Sequence, residues 1–117
     1  MKSFISIGAG LAALAVIIGA FGAHALKASL TAYELGIFST GSDYHFFHAL
    51  ALVLLGIFNK GPKWPGYAFI AGILLFSGSL YAIAILHLPK LGMITPLGGL
   101  AFIVGWVGFA MSAHKAK

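Results

Sequence analysis

The sequence predicts an all-α membrane protein, a bundle of four transmembrane helices that forms a single membrane domain over residues 1–117. Hydrophobic residues make up 61% of the chain and charged residues 8%, whereas a soluble domain has about 25% charged residues. Four long apolar runs contain none of the lysines, and they lie at about residues 4–26, 44–58, 67–88 and 94–113. No segment alternates with the period of two that a barrel strand requires, so the spans are predicted to be helices.

The length of the runs fits a bilayer. A helix rises 1.5 Å per residue, so a hydrocarbon core of about 30 Å needs roughly 20 residues. The first, third and fourth runs reach that length, and we expect the short second run to begin a few residues earlier, within residues 40–43. The first run ends in the AHA pattern of a signal-peptide cleavage site. It is longer than the usual apolar segment of roughly 7–15 residues, so we expect it to remain as the first helix.

The gap between the first two runs has a pattern of its own. Thr31 and Glu34 have capping-box spacing. Leu30, Tyr33 and Ile37 recur at helical spacing, which predicts a short amphipathic helix in the outer membrane interface. The other gaps are short turns, NKGPKWPG at residues 59–66 and a turn at residues 89–93.

The lysines predict the orientation. One side of the membrane receives more of them: Lys2, Lys60, Lys63, Lys115 and Lys117. The other side receives Lys27 and Lys90. Because lysine-rich short loops stay in the cytoplasm, both termini are predicted to be cytoplasmic. The net charge of +5 is therefore a topology signal. No basic stripe with interleaved aromatic residues accompanies it, so no nucleic-acid partner is expected.

Small residues repeat at helical spacing on two runs. On the first run they are Gly8, Ala12, Ala15, Gly19 and Gly22. On the fourth run they are Gly98, Ala101, Gly105 and Gly108. Small side chains let helix backbones approach closely in lipid. These stripes are predicted to pack helices together, either within the bundle or against another protomer or a partner protein.

Polar residues near the predicted outer surface form the candidate site. Its members are His24, Asp43, Tyr44, His48, Tyr81, His87 and Thr95. Three interpretations stay open for the histidines: interfacial side chains with wet tips, a hydrogen-bonded or proton-transferring network, and ligands of a metal or haem. The candidate ligands are His24, His45 and His48. His24 lies roughly 200° around the helix from Gly22, off the small-residue face, which disfavours the metal interpretation.

No enzymatic reaction is predicted. The chain has two carboxylates and no cysteine, and it contains neither arginine nor a phosphate-binding glycine motif. We expect no catalytic residue and no cofactor, unless the histidines hold haem or metal.

Four strings carry a resemblance to a known family: GAFGAHAL at residues 19–26, TGSDYHFFHALAL at 40–52, FSGSLYAIAILHL at 76–88 and TPLGGLAFIVGW at 95–106. Together they resemble the YgdD/YwdK-type small membrane proteins, known as domain of unknown function 423, with transmembrane protein 256 as a eukaryotic relative. The resemblance implies a multi-pass protein of the bacterial inner membrane and no particular reaction. It also implies that His45 departs from the family, in which Gln is common there.

Three functions are compatible with these features. The leading expectation is a structural or accessory protein that packs against itself or against a larger membrane complex, with membrane lipids as its other contacts. The second is a small carrier or channel for an ion, a proton or a lipid-like molecule, which would require an oligomer. The third is a haem- or metal-binding membrane protein.

Overall fold

The computed structural model describes residues 1–116, and over these residues the chain is all-helical, without strands. Four helices are long and apolar enough to cross a membrane. We number them α1 (Lys2–Leu26), α2 (Ala32–Phe58), α3 (Trp64–Leu86) and α4 (Thr95–Lys115), and a 3₁₀ turn at Pro89–Met93 leads into α4. The predicted fold class of four transmembrane helices is confirmed.

The start of α2 differs from the prediction. The capping box is present: Glu34 N donates to Thr31 Oγ1 at 3.1 Å, and Thr31 N donates to Glu34 Oε1 at 3.0 Å. It opens a continuous helix of 27 residues. The separate amphipathic helix expected between the first two spans is therefore wrong, and so is a start within residues 40–43. No proline interrupts residues 32–58. Thr40 Oγ1 donates to the Gly36 carbonyl at 3.0 Å, so this hydroxyl is satisfied within the helix.

Two wider turns interrupt the regular helices. α1 contains a π-helical segment at Ile17–Gly22, and α3 contains one at Ile73–Ser77. Such segments occur often at functional sites. Both lie beside the middle part of α2, where Ser42 approaches Gly19 and Gly41 approaches the Ser77 carbonyl.

The helices are arranged with α2 and α3 in the centre. α1 packs mainly against α2, and α4 packs mainly against α3. The overall extents are 52 × 26 × 17 Å, so the cross-section is elongated. α1 therefore lies on one flank, and most of its surface is open to the surroundings.

The small-residue stripes lie at the contacts between neighbouring helices. Gly8, Gly19 and Gly22 face α2, where an added Cβ would meet Val53, Ser42 and Phe38 respectively. Gly98, Gly105 and Gly108 face α3, where an added Cβ would meet Phe76, Phe69 and Trp64 respectively. Ala15 is buried, while Ala12 and Ala101 are half-buried. The structure thus uses these positions for packing within the bundle.

The two ends of the bundle differ in charge. We call one the lysine end, with Lys2, Lys60, Lys63 and Lys115. We call the other the Glu34 end, with Lys27, Lys90, Glu34 and His87. Lys117 lies outside the described residues. That the lysine end faces the cytoplasm stays a prediction.

Candidate functional site

The expected outer-side cluster is divided between different depths. Because α2 begins at Ala32, its midpoint is His45. Asp43 and His48 lie about 17–24 Å along the axis from the start of the helix. Asp43, Tyr44 and His48 therefore lie near the middle of α2 and not at its first turns. The depth at which they lie in a membrane stays a prediction. Of the cluster, only His24, His87 and Thr95 lie near the Glu34 end.

His48 lies in an aromatic pocket where α2, α3 and α4 meet. Its Nδ1 is 2.7 Å from the Tyr44 carbonyl, and Trp106 Nε1 donates to its Nε2 at 3.0 Å. The His48 ring stacks on Phe102, with ring centroids 3.6 Å apart. It also stacks on Tyr44, with ring centroids 6.0 Å apart. The residue is 5% exposed.

These two hydrogen bonds determine the state of the ring. A carbonyl only accepts, so Nδ1 carries the hydrogen. The indole N–H only donates, so Nε2 must present its lone pair to Trp106. The geometry therefore requires a neutral His48 with both nitrogens occupied. Such a ring has no lone pair left for a metal, and a proton on Nε2 would break the bond to Trp106.

His45, one turn earlier, is in a different situation. It is 2% exposed, and its Nδ1 lies 2.8 Å from the Tyr81 hydroxyl. The Tyr81 hydroxyl also interacts with Ser42, whose Oγ donates to the Ala15 carbonyl at 3.5 Å. His45 Nε2 has no hydrogen-bond partner among the residues that the structure describes, although the backbone of Leu11 approaches the ring. A series of polar contacts thus joins α1, α2 and α3, and Nε2 of His45 takes no part in it.

Asp43 points away from these hydrogen-bonded side chains, toward the outside of the bundle. Its side chain is exposed and lines a groove of about 230 Å³ between α1 and α2. The other lining residues are Ala15, Val16, Gly19, Ala20, Ser42 and Phe46. Within residues 1–116, Asp43 forms no hydrogen bond and no ion pair. The Asp43 carboxylate therefore lies on the outer surface of the bundle, near the middle of α2.

The remaining predicted residues form separate local contacts. His87 Nδ1 lies 2.5 Å from Glu34 Oε2, which links the end of α3 to the start of α2. Ser79 Oγ donates to the Phe76 carbonyl at 2.9 Å, so Thr95 is the donor in its 2.5 Å contact with Ser79. His24 is exposed and has no hydrogen bond within the described residues.

The candidate metal ligands do not converge. His45 and His48 lie in different pockets, and His24 lies at the surface of the Glu34 end. Within residues 1–116, no three histidine or acidic side chains come close enough to hold a metal ion.

An apolar groove runs along the outside of the His48 pocket. It has a volume of about 650 Å³ and is lined by aromatic and aliphatic side chains of α2, α3 and α4, with His48 at its base. A second groove of about 450 Å³ continues toward the Glu34 end. Phe76 and Pro96 line both grooves.

Comparisons with known proteins support the resemblance seen in the sequence. A family model described as "Protein of unknown function (DUF423)" matches residues 18–99. The UPF0382 membrane protein YwdK of Bacillus subtilis is 42% identical over 121 residues, covering 98% of each chain. The UPF0382 membrane protein SAB0533 of Staphylococcus aureus is 39% identical over 119 residues, also covering 98% of each chain. The chain belongs to the DUF423 family. No solved structure matches this DUF423 protein.

The family stretch contains both histidine environments but not all of their partners. His45, His48, Asp43 and Tyr81 lie inside residues 18–99, whereas Trp106 lies beyond them. We did not predict Trp106, Ser42 or Phe102 as part of the site. Trp106 ends the fourth string of the DUF423 resemblance, which was the available signal for it. Ser42 and Phe102 also lie inside the strings at residues 40–52 and 95–106. Nothing in the sequence distinguished them there, because their roles depend on which faces of α2 and α4 turn inward.

Proposed function

We propose that this DUF423 membrane protein is a structural or accessory subunit of the bacterial inner membrane, not an enzyme, and that it binds another membrane protein. The binding surface is the groove between α1 and α2 that Asp43 lines, which we call the Asp43 face. Less than this proposal is established: the chain is a small integral membrane protein, and the names of its relatives state no reaction.

The unpaired carboxylate of Asp43 carries this proposal. A charged Asp near the centre of a transmembrane helix costs about 2.5–3.5 kcal/mol in insertion measurements. The chain does not compensate this cost, since no group within residues 1–116 pairs with Asp43. A partner helix with a lysine, arginine or other donor at the same depth would satisfy the carboxylate.

The chemistry of the face favours a different protein over a second copy. The six lysines among residues 1–116 all lie at the ends of helices or in the turns between them. A second copy would therefore bring another Asp43 to the middle of the membrane and no cation. A partner helix with a basic residue supplies what this chain lacks.

The shape of the face also suits a helix. Gly19 and Ala20 line the groove beside Asp43, and small residues let a second helix approach closely. Exposed Ala9 and Ala13 continue on the same side of α1. Because α1 packs mainly against α2, most of its circumference remains open to such a partner.

The decisive experiment compares two acidic residues by native mass spectrometry. The protein is released from its own membranes in mild detergent, as wild type, Asp43→Asn and Glu34→Gln. We expect a heterologous partner mass with wild type and Glu34→Gln, and its loss with Asp43→Asn. A partner retained by Asp43→Asn would remove Asp43 from the interface. A bare monomer or a homo-oligomer in the wild type would overturn the proposal of a different partner.

A second pair of variants tests the shape of the face. Ala20→Leu fills the groove and leaves the Asp43 residue itself unchanged, and Ala110→Leu makes the same change at an exposed position on α4. We expect loss of the partner with the first variant only. Equal retention in both would place the partner elsewhere on the bundle.

The apolar groove beside His48 favours a second candidate function, the carriage of a lipid-like molecule. Its volume of about 650 Å³ is within the range of ligand pockets, and it continues into the neighbouring groove. Gly99 lines it and has room for a larger side chain, because an added Cβ would come no closer than 3.8 Å to Phe76. Gly99→Trp should expel a bound lipid mass, and Gly10→Trp, at an open position of α1, should not. Identical lipid masses in both variants would rule out this groove.

A further inference from the structure

A separate pocket lies at the lysine end, far from the Asp43 face. It has a volume of about 240 Å³ and lies between the turn that joins α2 to α3 and the last turns of α4. Lys60 and Gly61 line it from the turn, Trp64 from the start of α3, and Ser112 and Lys115 from α4.

Several ammonium groups lie in or near this pocket. Lys60 and Lys115 line it directly, and Lys63 and Lys2 lie at the same end. The amino group of Met1 also lies at this end, where it donates to the Gly56 carbonyl at 3.4 Å and to Asn59 Oδ1. The chain's two acidic side chains are on α2, one at its opposite end and one near its middle.

The backbone around the pocket is closely packed. Gly61 has a φ of 81° and lies against Ser112, so any larger residue would be both strained and obstructed. Gly108 lies directly under the ring of Trp64. Ser112 Oγ donates to the Gly108 carbonyl at 2.9 Å, which fixes the inner wall. The pocket is a formed concavity, with lysines around it and an aromatic ring on one side.

The position of the pocket suits a lipid headgroup. It lies at the junction of transmembrane helices, at the level where Trp side chains and lysines meet the headgroup region of a bilayer. The half-exposed ring of Trp64 and the side chain of Met111 give the pocket an apolar flank beside the ammonium groups. A ligand that carries a phosphate and continues into acyl chains matches this combination.

We propose that this pocket binds the phosphate headgroup of an anionic phospholipid, with Lys60 and Lys115 supplying the charge. Basic pockets between transmembrane helices are a recurring way to hold anionic headgroups. The site is independent of the Asp43 face, because the two share no residue. It anchors the lysine end in an anionic leaflet whether or not the protein has a protein partner.

The test is a lipid titration followed by native mass spectrometry. The delipidated full-length protein in mild detergent is titrated with phosphatidylglycerol and, separately, with phosphatidylcholine. We expect wild type to bind phosphatidylglycerol at least about tenfold more tightly than phosphatidylcholine. The double variant Lys60→Gln with Lys115→Gln should lose most of this preference, because each lysine raises the affinity for phosphatidylglycerol by about tenfold or less. Equal affinity for the two lipids would overturn the proposal.

The matched control makes the same charge change at the other end. Lys27→Gln with Lys90→Gln also removes two positive charges, so it lowers the net charge equally without touching the pocket. We expect it to retain the lipid preference. Equal losses in both double variants would mean that net charge alone attracts the lipid, and the site would be withdrawn.

Two further measurements separate related outcomes. Lys115→Gln alone reports on the pocket without disturbing Lys60, which has other interactions within the chain. It should weaken phosphatidylglycerol binding, and unchanged binding would count against the pocket. Inorganic phosphate at the lipid's concentration should not displace phosphatidylglycerol, and displacement would show a free phosphate site instead of a lipid site.

Discussion

Two histidines one turn apart on α2 have opposite surroundings. His48 uses both ring nitrogens, in bonds of 2.7 Å to the Tyr44 carbonyl and 3.0 Å from Trp106. His45 uses one nitrogen, toward the Tyr81 hydroxyl, and leaves Nε2 without a partner. Both side chains are buried, so the difference comes from the helices that face them and not from solvent.

The difference extends to the two halves of the molecule. On the side of α3 and α4, the polar groups around His48 are paired and aromatic rings fill the space. On the side of α1, His45 Nε2 and Asp43 have no hydrogen-bond partner within residues 1–116. Ser77 Oγ, at the contact of α2 and α3 between the two sides, also has none within these residues. Buried polar groups in folded proteins are nearly always hydrogen-bonded. We therefore call the side of α3 and α4 the scaffold half, and the proposed partner would supply the missing pairing on the side of α1.

The tight packing of the scaffold half predicts the largest effect. An alanine at Gly98 would place its Cβ against the backbone of Phe76, which cannot rotate away. Gly98→Ala should therefore destabilise the bundle by up to about 3 kcal/mol, the upper end of the usual range of about 1–3 kcal/mol for overpacking. The measurement is the unfolding free energy in mixed detergent micelles with increasing dodecyl sulfate. Gly10→Ala is the control, because nothing lies within 4 Å of its added Cβ. A Gly98→Ala variant as stable as Gly10→Ala would mean that α3 and α4 are not held this closely.

The two histidines can be compared by one substitution at both positions. His48→Leu leaves the Trp106 N–H without an acceptor and removes the stack on Phe102, so it should cost about 2 kcal/mol. His45→Leu removes an unpaired nitrogen together with one bond to Tyr81, which keeps its interaction with Ser42. It should cost at most about 1 kcal/mol. The same detergent unfolding measurement compares them. Equal losses at the two positions would remove the distinction between the halves.

The sequence was sufficient for the number and kind of helices but not for their depth. Hydropathy located all four spans, because their lengths depend only on bilayer thickness. The predicted start of α2, within residues 40–43, lies 8–11 residues after the observed start at Ala32, since the Ser, Thr, Gly and Asp side chains of this stretch resemble a loop in composition. His48 therefore lies near the middle of α2 and not near its start. Which side of α2 faces α1 or α4 depends on tertiary packing, so the pairing of His48 with Trp106 could not be read from spacing.

The smallest predicted effect concerns which ring nitrogen of His48 carries the hydrogen. In the folded protein His48 should be the tautomer with hydrogen on Nδ1, because the Tyr44 carbonyl only accepts and Trp106 only donates. Nitrogen-15 NMR of the histidine side chains in detergent distinguishes the two tautomers. Trp106→Phe removes the donor, so the Nε2 signal of His48 should then change while that of His45 stays the same. If the His48 ring carries its hydrogen on Nε2 in the wild type, the bond from Trp106 does not exist. The scaffold half would then contain an unpaired histidine like the other half, and the comparison between them would fail.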